Sequence, residues 1–308
     1  MPAMETEPGT TKLSVIAISW LAAAAALPLA LVGAACGQGV GALIGGCHWI
    51  GITLPLDRQV WALVNQPVLN FASLPSAGGY WLGSILVPLA VAVVIIGFLP
   101  RARSLVTELA VVQIAWAMST VAVAWLPLLD VHDGHLIRFL TLHGWPGGWV
   151  WLAPVLAAGA VLLPTLRLLA LARRRRPNIG RASRVLVVVV HLFVPTVAWI
   201  GLASLIRGAV PVLPSFAVAA PLASAIVFAW FRYPAPFVHH LELPRPAEIV
   251  VLMVAATTLL AGVLFVGRPI ADGRSAGFLW GQAQSFNNIR PWVEPRSLTG
   301  NESDLPNG

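Results

Sequence analysis

The chain has 308 residues, of which 58% are hydrophobic and only 10% are charged. A soluble domain carries about 25% charged residues, so this composition excludes an ordinary soluble fold and indicates an integral membrane protein. The net charge is +7, but no nucleic-acid-binding motif accompanies it, and we expect the basic residues to face anionic membrane lipids.

Seven apolar segments approach the length of about 20 residues that a helix needs to cross a bilayer. Because a backbone in hydrocarbon must satisfy its own hydrogen bonds, they predict an all-α, polytopic transmembrane helical bundle. The sequence therefore divides into an N-terminal segment 1–12, a transmembrane domain 13–270 and a flexible tail 271–308. The predicted spans are 13–35, 81–99, 105–126, 149–171, 185–206, 210–231 and 248–267.

The segment 37–80, after the first span, is too polar and too rich in glycine to cross the bilayer. Within it, Leu56–Leu69 predicts an amphipathic helix lying on the outer membrane face. Cys36 and Cys47 flank a glycine-rich stretch of this region. They either form a disulfide in an extracytoplasmic loop or remain two thiols.

Lysine and arginine residues set the predicted orientation, because they concentrate in cytoplasmic loops. They occupy alternate connecting segments, which places the N-terminus in the cytoplasm and, with seven spans, the C-terminus outside. A bacterial inner membrane is the expected location. The residues that carry this signal are Lys12, Arg101, Arg103, Arg173, Arg174, Arg175, Arg176, Arg181, Arg184, Arg232 and Arg245. Tryptophans at the predicted outer helix ends agree with it, namely Trp81, Trp125, Trp149 and Trp151.

Ionisable residues inside the spans are costly and are often functional. Glu108 and His191 lie one to two turns from the predicted cytoplasmic boundary. They either pair with one another, contribute to a proton path, or are satisfied by snorkelling or one local hydrogen bond. The sixth span carries Pro211, Pro214 and Pro221, which predict a kinked or re-entrant start.

The loop after the third span holds the densest group of potential ligands: Asp130, His132, Asp133 and His135, with His143 further along. Imidazoles and carboxylates bind zinc and other divalent metals, and they also act as acids and bases. One interpretation is a metal or catalytic site in which Asp130, His132 and His135 are the metal ligands. The other is a turn whose side chains cap helix ends and face water, with no cofactor required.

The element order is characteristic. The first span is followed by an outer segment, Leu56–Asn65, and by a second helix marked by Gly79-Tyr80-Trp81-Leu82-Gly83. The chain then continues with a basic turn, a third helix, an outer loop and three more helices. Over about residues 13–231 this layout resembles the type 2 phosphatidic acid phosphatase superfamily, which dephosphorylates lipid phosphates and polyprenyl diphosphates. In place of the family's Pro-Ser-Gly-His motif stands Pro146-Gly147-Gly148-Trp149, and in place of its Ser-Arg motif stands Ile206-Arg207.

Both catalytic histidines of that family are missing at their positions, so the resemblance implies a bundle whose catalytic chemistry has been lost or replaced. We expect a non-catalytic subunit or a lipid-phosphate-binding accessory factor, in which Arg138 and Arg207 meet an anionic headgroup. The tail would dock on a protein partner through Phe278, Trp280 and Trp292. The alternatives are a metal-dependent membrane hydrolase and a transporter or channel subunit.

Overall fold

The computed structural model describes residues 12–44, 48–53, 61–65, 74–98, 104–124, 152–198, 201, 215–232, 242, 244–261 and 277–279. Within these ranges the protein is mostly helical and has one small sheet. The helices are α1 (Lys12–Ile44), α2 (Leu74–Val93, continued by the π turn Val94–Phe98), α3 (Leu105–Ala124), α4 (Leu152–Arg175), α5 (Arg181–Ala198), α6 (Ser215–Phe231) and α7 (Pro246–Ala261). The strands are β1 (His48–Thr53), β2 (Trp61–Asn65) and β3 (Gly277–Leu279). A described helix overlaps each of the seven predicted spans.

Three helical segments are long and apolar enough to cross a membrane: Ser14–Ile44, Leu105–Ala122 and Arg181–Ala198. Of these, the one in α3 is the most buried within the protein. α3 packs against α1, α2, α4 and α6, and its fully buried side chains include Leu109 and Trp116. It is therefore the central helix of the described bundle.

α1 continues past the predicted span end at residue 35 and reaches Ile44. With 33 residues and a rise of 1.5 Å per residue, it is about 50 Å long. This exceeds the roughly 30 Å thickness of a bilayer hydrocarbon core. The second half of α1 is consequently free to pack against the elements that follow it, namely β1, β2 and α2.

Glycine brings α1 into backbone contact with α2. A Cβ atom on Gly37 would lie 2.2 Å from the carbonyl oxygen of Gly83, and a Cβ atom on Gly83 would lie 2.0 Å from that of Gly37. Gly33, Gly37 and Gly41 recur every four residues, which is the small-residue spacing that lets helices approach closely in membranes. No larger residue fits this crossing without a shift of the backbones.

The region after α1 forms strands, so the prediction of an all-α fold is wrong in this part. β1 pairs with β2 in antiparallel fashion, with Ile52 opposite Ala62 and a bulge between Trp49 and Gly51. The predicted amphipathic helix Leu56–Leu69 is therefore wrong over the residues of β2. The physical reason is that a short apolar run fits a strand as well as a helix, and pairing with a neighbouring strand decides.

The tail contributes the third strand of this sheet. β3 pairs with β1, placing Phe278 opposite Ile52. The tail is thus not wholly a free docking segment, since the backbone at Phe278 pairs within the chain, while Trp280 and Trp292 lie outside the described residues. The sheet rests on α1, because the ring of Trp49 covers Gly39 so closely that a Cβ atom there would lie 2.2 Å away.

Contacts between helices place several helix ends together. Ser104 caps α3 by accepting from the backbone N–H of Val106 at 3.2 Å, and its hydroxyl donates to Glu248 in the first turn of α7 at 2.5 Å. At the same end, α4 turns into α5, and Arg184 of α5 donates to the carbonyl of Trp230 in the last turn of α6. The starts of α3, α5 and α7 and the ends of α4 and α6 therefore lie together. We call this the arginine end, because it carries Arg173, Arg174, Arg175, Arg176, Arg181 and Arg184.

Candidate functional site

A buried ion pair joins α3 to α4. The guanidinium of Arg167 donates from Nε to Oε1 of Glu108 at 2.5 Å and from Nη2 to Oε2 at 2.8 Å. Its Nη1 donates to the carbonyl of Ile96 at 3.0 Å, in the last turn of α2, where carbonyls lack a partner within the helix. Glu108 is fully buried and Arg167 is only 6% exposed. Three helices thus meet at one bidentate, hydrogen-bonded charge pair.

This geometry identifies the partner of Glu108. Of the alternatives left open for Glu108, the observed contact is a local one of a different kind, because Arg167 rather than His191 is seen to bind its carboxylate. A carboxylate held by two arms of a guanidinium cross-links two helices, and removing either partner would leave a buried charge uncompensated. The pair is consequently a structural feature of the bundle interior.

The sequence contains a signal for this pair. Arg167 is the one charged residue between Leu152 and Ala172, a run that is otherwise apolar or uncharged. A lone charge inside such a run predicts a buried partner of opposite sign. Glu108, inside the predicted span 105–126, is an acidic residue that can supply such a partner.

Gln113 of α3 bonds to a carbonyl that a proline releases in α5. Pro195 has no N–H, so the carbonyl of His191, four residues earlier, has no donor within its own helix. Nε2 of Gln113 lies 2.6 Å from this carbonyl and 2.8 Å from Oγ of Ser19 in α1. One amide group therefore links α1, α3 and α5.

The same proline accounts for the π turn Val189–Phe193. In that turn, the N–H of Val194 donates to the carbonyl five residues earlier. With the same five-residue spacing, the donor to the carbonyl of Val190 would be the N–H of residue 195. That residue is proline, which has no N–H. Nε1 of Trp20 in α1 supplies the hydrogen bond instead, at 3.0 Å.

A second proline is compensated in the same way. Pro164 of α4 leaves the carbonyl of Ala160 without its helical donor, and Oγ of Ser119 donates to that carbonyl at 2.9 Å. Nearby in α3, Nε1 of Trp116 donates to Oγ1 of Thr196 at 3.2 Å. Polar side chains along α3 thus close hydrogen bonds that would otherwise be lost, as a backbone in hydrocarbon requires.

His191 contributes its carbonyl to this network, but its imidazole is arranged differently. The side chain is half-buried, and Nδ1 has no hydrogen-bond partner among the described residues. Buried nitrogen atoms usually have a partner. This imidazole is therefore a described interior group with spare hydrogen-bonding capacity.

The predicted metal and catalytic residues lie outside the described residues, namely Asp130, His132, Asp133, His135 and His143. The predicted headgroup ligands Arg138 and Arg207 lie outside them as well. In the part of the chain that is described, no three His, Cys, Asp or Glu side chains come close enough to hold a metal ion. The metal site and the outer headgroup site stay predictions.

The cysteine pair is described only in part. Cys36 is half-buried in α1 and forms no disulfide with any described residue; it lies on the length of helix that continues past the predicted span. Cys47 lies outside the described residues. The disulfide between the two cysteines stays a prediction.

No protein-family model matches the chain, and no curated protein or solved structure matches it either. The resemblance to the type 2 phosphatidic acid phosphatase superfamily therefore rests on the residues quoted above.

Proposed function

We propose that the protein is a non-catalytic, multi-pass protein of the cell membrane that acts as an accessory subunit or as a lipid-phosphate-binding factor of the cell envelope. In this proposal it crosses a bacterial inner membrane seven times, with the arginine end in the cytoplasm. The phosphatase-like layout suggests the class of ligand, and the lack of the family's two catalytic histidines at their motif positions supports the non-catalytic role.

The direction of the helices supports the multi-pass arrangement. Odd-numbered helices α3, α5 and α7 begin at the arginine end, and even-numbered helices α4 and α6 finish there. α1 fits the same pattern, because Ser19 and Trp20 near its start reach the level of His191 and Val190 in α5. Such alternation is what a chain that passes repeatedly through a bilayer must have.

The exposed surface of the helices supports a lipid environment. Large apolar side chains point outward, including Leu186 (61% exposed), Val251 (67%) and Phe231 (74%). A soluble monomer rarely exposes contiguous apolar patches of more than a few hundred Å². In a bilayer, lipid acyl chains would cover these side chains, which removes the free-energy cost of exposing apolar surface to water.

The observation that carries the non-catalytic role is the use made of interior polar groups. Glu108 is bound by Arg167, and Gln113, Trp116 and Ser119 all donate to groups on neighbouring helices. An acid, base or nucleophile must be free to meet a substrate. In the described interior, these groups instead hold the helices in fixed positions, as a scaffold requires.

The test is purification in a mild detergent followed by mass spectrometry of the proteins, lipids and metals that accompany the chain. We expect a stoichiometric protein partner or a bound lipid phosphate. Because β3 belongs to the sheet on α1, two truncations are compared: removal of 281–308, which keeps β3, and removal of 271–308, which does not. A partner that docks on the distal tail is lost in both truncations, whereas one that needs the sheet is lost only in the longer one.

Two results would contradict the proposal. Recovery of neither a partner nor a bound lipid would remove its basis. A stoichiometric metal that disappears in the His132→Ala/His135→Ala double variant, together with hydrolysis of a lipid phosphate, would establish the metal-dependent hydrolase instead.

A further inference from the structure

Two arginines of α5 converge on one tryptophan of α6 at the arginine end. The guanidinium carbon of Arg181 lies 5.9 Å from the centre of the Trp230 ring. Nη2 of Arg184, which is 5% exposed, donates to the carbonyl of Trp230 at 3.0 Å. The buried arginine thus fixes the end of α6, and the exposed one lies over the indole face.

A guanidinium stacked on an aromatic face keeps its N–H groups at the edge of its plane. Stacking restricts the side chain without using the donors that bind a phosphate in a two-pronged fashion. Arg181 is exposed to solvent. It is therefore a cation that lies over the ring and is open to solvent.

Positive charge dominates this region. The stretch 173–184 contains six arginines and no acidic residue, and Arg232, which is also exposed, follows Trp230 by two residues. The described acidic side chains near the start of α7 are engaged elsewhere: Glu242 pairs with Arg245, and Glu248 accepts from Ser104. Among the described residues, nothing acidic is bonded to Arg181.

Large apolar side chains are also exposed on α5 and α6 close in sequence to Arg181 and Trp230. Phe231, beside Trp230, is 74% exposed, and Leu186, five residues after Arg181, is 61% exposed. Trp230 is 42% exposed, and its ring lies beneath the guanidinium of Arg181. An aromatic ring in this position is typical of the level at which lipid headgroups lie.

We propose that the rim formed by Arg181, Trp230 and Arg232 binds the phosphate of an anionic phospholipid, whose acyl chains lie along Leu186 and Phe231. The exposed apolar flanks favour a lipid over a free phosphate ion. The site depends on the membrane orientation proposed above, and it is separate from the outer headgroup site predicted at Arg138 and Arg207.

The experiment uses full-length protein in detergent micelles that contain equal amounts of phosphatidylglycerol and phosphatidylcholine, with retained lipids counted by native mass spectrometry. We expect preferential retention of phosphatidylglycerol, reduced about fivefold in Arg181→Gln, a loss on the scale of one interfacial arginine. Trp230→Leu should lower it as well, because the guanidinium is no longer held. Arg181→Lys, which keeps the charge but loses the planar fork, should retain an intermediate amount.

Arg245→Gln is the matched control, since it removes the same charge at the start of α7, where Arg245 is paired with Glu242. Equal phosphatidylglycerol retention in Arg181→Gln and Arg245→Gln would overturn the proposal. So would displacement of the lipid by inorganic phosphate at equal phosphate concentration, which would show that the headgroup alone is recognised. Co-purification of a partner from the truncated chains is measured independently of lipid retention. The lipid site can therefore be contradicted while the accessory role is supported, or the accessory role contradicted while the lipid site is supported.

Discussion

At the scale of single residues, several polar side chains of the described interior bond to specific groups on neighbouring helices. The carboxylate of Glu108 and the guanidinium of Arg167 are in bidentate contact, and the remaining arm of the arginine reaches Ile96. Desolvating two ions is expensive, so such a pair adds little net stability compared with well-packed apolar residues. Its consequence is specificity, because only one arrangement of α3 and α4 compensates both charges.

We predict that Arg167→Met alone destabilises the protein by about 3–5 kcal/mol, because it leaves a buried carboxylate without its partner. The double variant Glu108→Leu/Arg167→Met should recover most of this loss. Reversible unfolding in mixed micelles with increasing denaturing detergent measures both changes.

The control for this pair is Arg245→Gln, which breaks the exposed contact with Glu242, where the two side chains are 69% and 47% exposed. Solvent screening limits such a pair to about 0–1 kcal/mol. Equal losses in Arg167→Met and Arg245→Gln, or a double variant no more stable than Arg167→Met, would contradict the buried-pair account.

At the scale of elements, prolines and glycines determine how the helices meet. Pro164 and Pro195 each release a carbonyl, and side chains of the neighbouring α3 occupy both. Glycine acts at the other crossing, where Gly37 and Gly83 bring the backbones of α1 and α2 into contact. Each of these prolines thus lies where a neighbouring helix supplies the missing hydrogen-bond donor. Each of these glycines lies where the backbone of a neighbouring helix fills the space of the missing side chain.

We predict that Gly37→Ala destabilises the bundle by about 1–3 kcal/mol, the usual cost of overpacking. The added methyl group would lie 2.2 Å from the backbone oxygen of Gly83, which cannot move aside as a side chain can. The same detergent unfolding measurement detects the loss.

Gly97→Ala in the π turn after α2 and Gly159→Ala in α4 are the controls, because a Cβ atom at either position meets nothing within 4 Å. These variants should be neutral or slightly more stable, since alanine costs less helix entropy than glycine. A Gly37→Ala variant as stable as these two would show that the two backbones are not in contact.

At the scale of the whole molecule, the bundle has one strongly basic end. The starts of α3, α5 and α7 and the ends of α4 and α6 gather there, and so does the rim of Arg181, Trp230 and Arg232 that we propose as a lipid site. The sheet lies towards the other end of α1, on the length that passes residue 35. The proposed orientation therefore assigns the arginines and the sheet to opposite sides of the membrane.

We predict that Asn178→Cys, in the exposed turn between α4 and α5, reacts with a membrane-impermeant thiol reagent only after cells are opened. Gly134→Cys, in the loop after the third predicted span, should react in intact cells. Both are made in a Cys36→Ala/Cys47→Ser background, with that cysteine-free chain as the control. Labelling of both positions from the same side would contradict the orientation and both headgroup sites with it.

The sequence by itself determined the positions of the helices. An apolar stretch of about 20 residues must close its hydrogen bonds within itself, so composition alone places a helix at each of the seven predicted ranges. It also identified Glu108 as a costly interior charge. These properties follow from the local chain, since hydropathy and hydrogen-bond closure depend on neighbouring residues.

Only the tertiary structure decided which groups meet. Glu108 bonds to Arg167 across 59 positions of sequence, and Gln113 bonds to a carbonyl that is free only because Pro195 stands four residues beyond it. The run Trp61–Asn65 became a strand because β1 lies beside it, and β1 in turn pairs with the distant β3. Contacts between residues so far apart in sequence cannot be predicted from local periodicity. The hydrogen bonds and packing that favour them form only when the helices and strands come together.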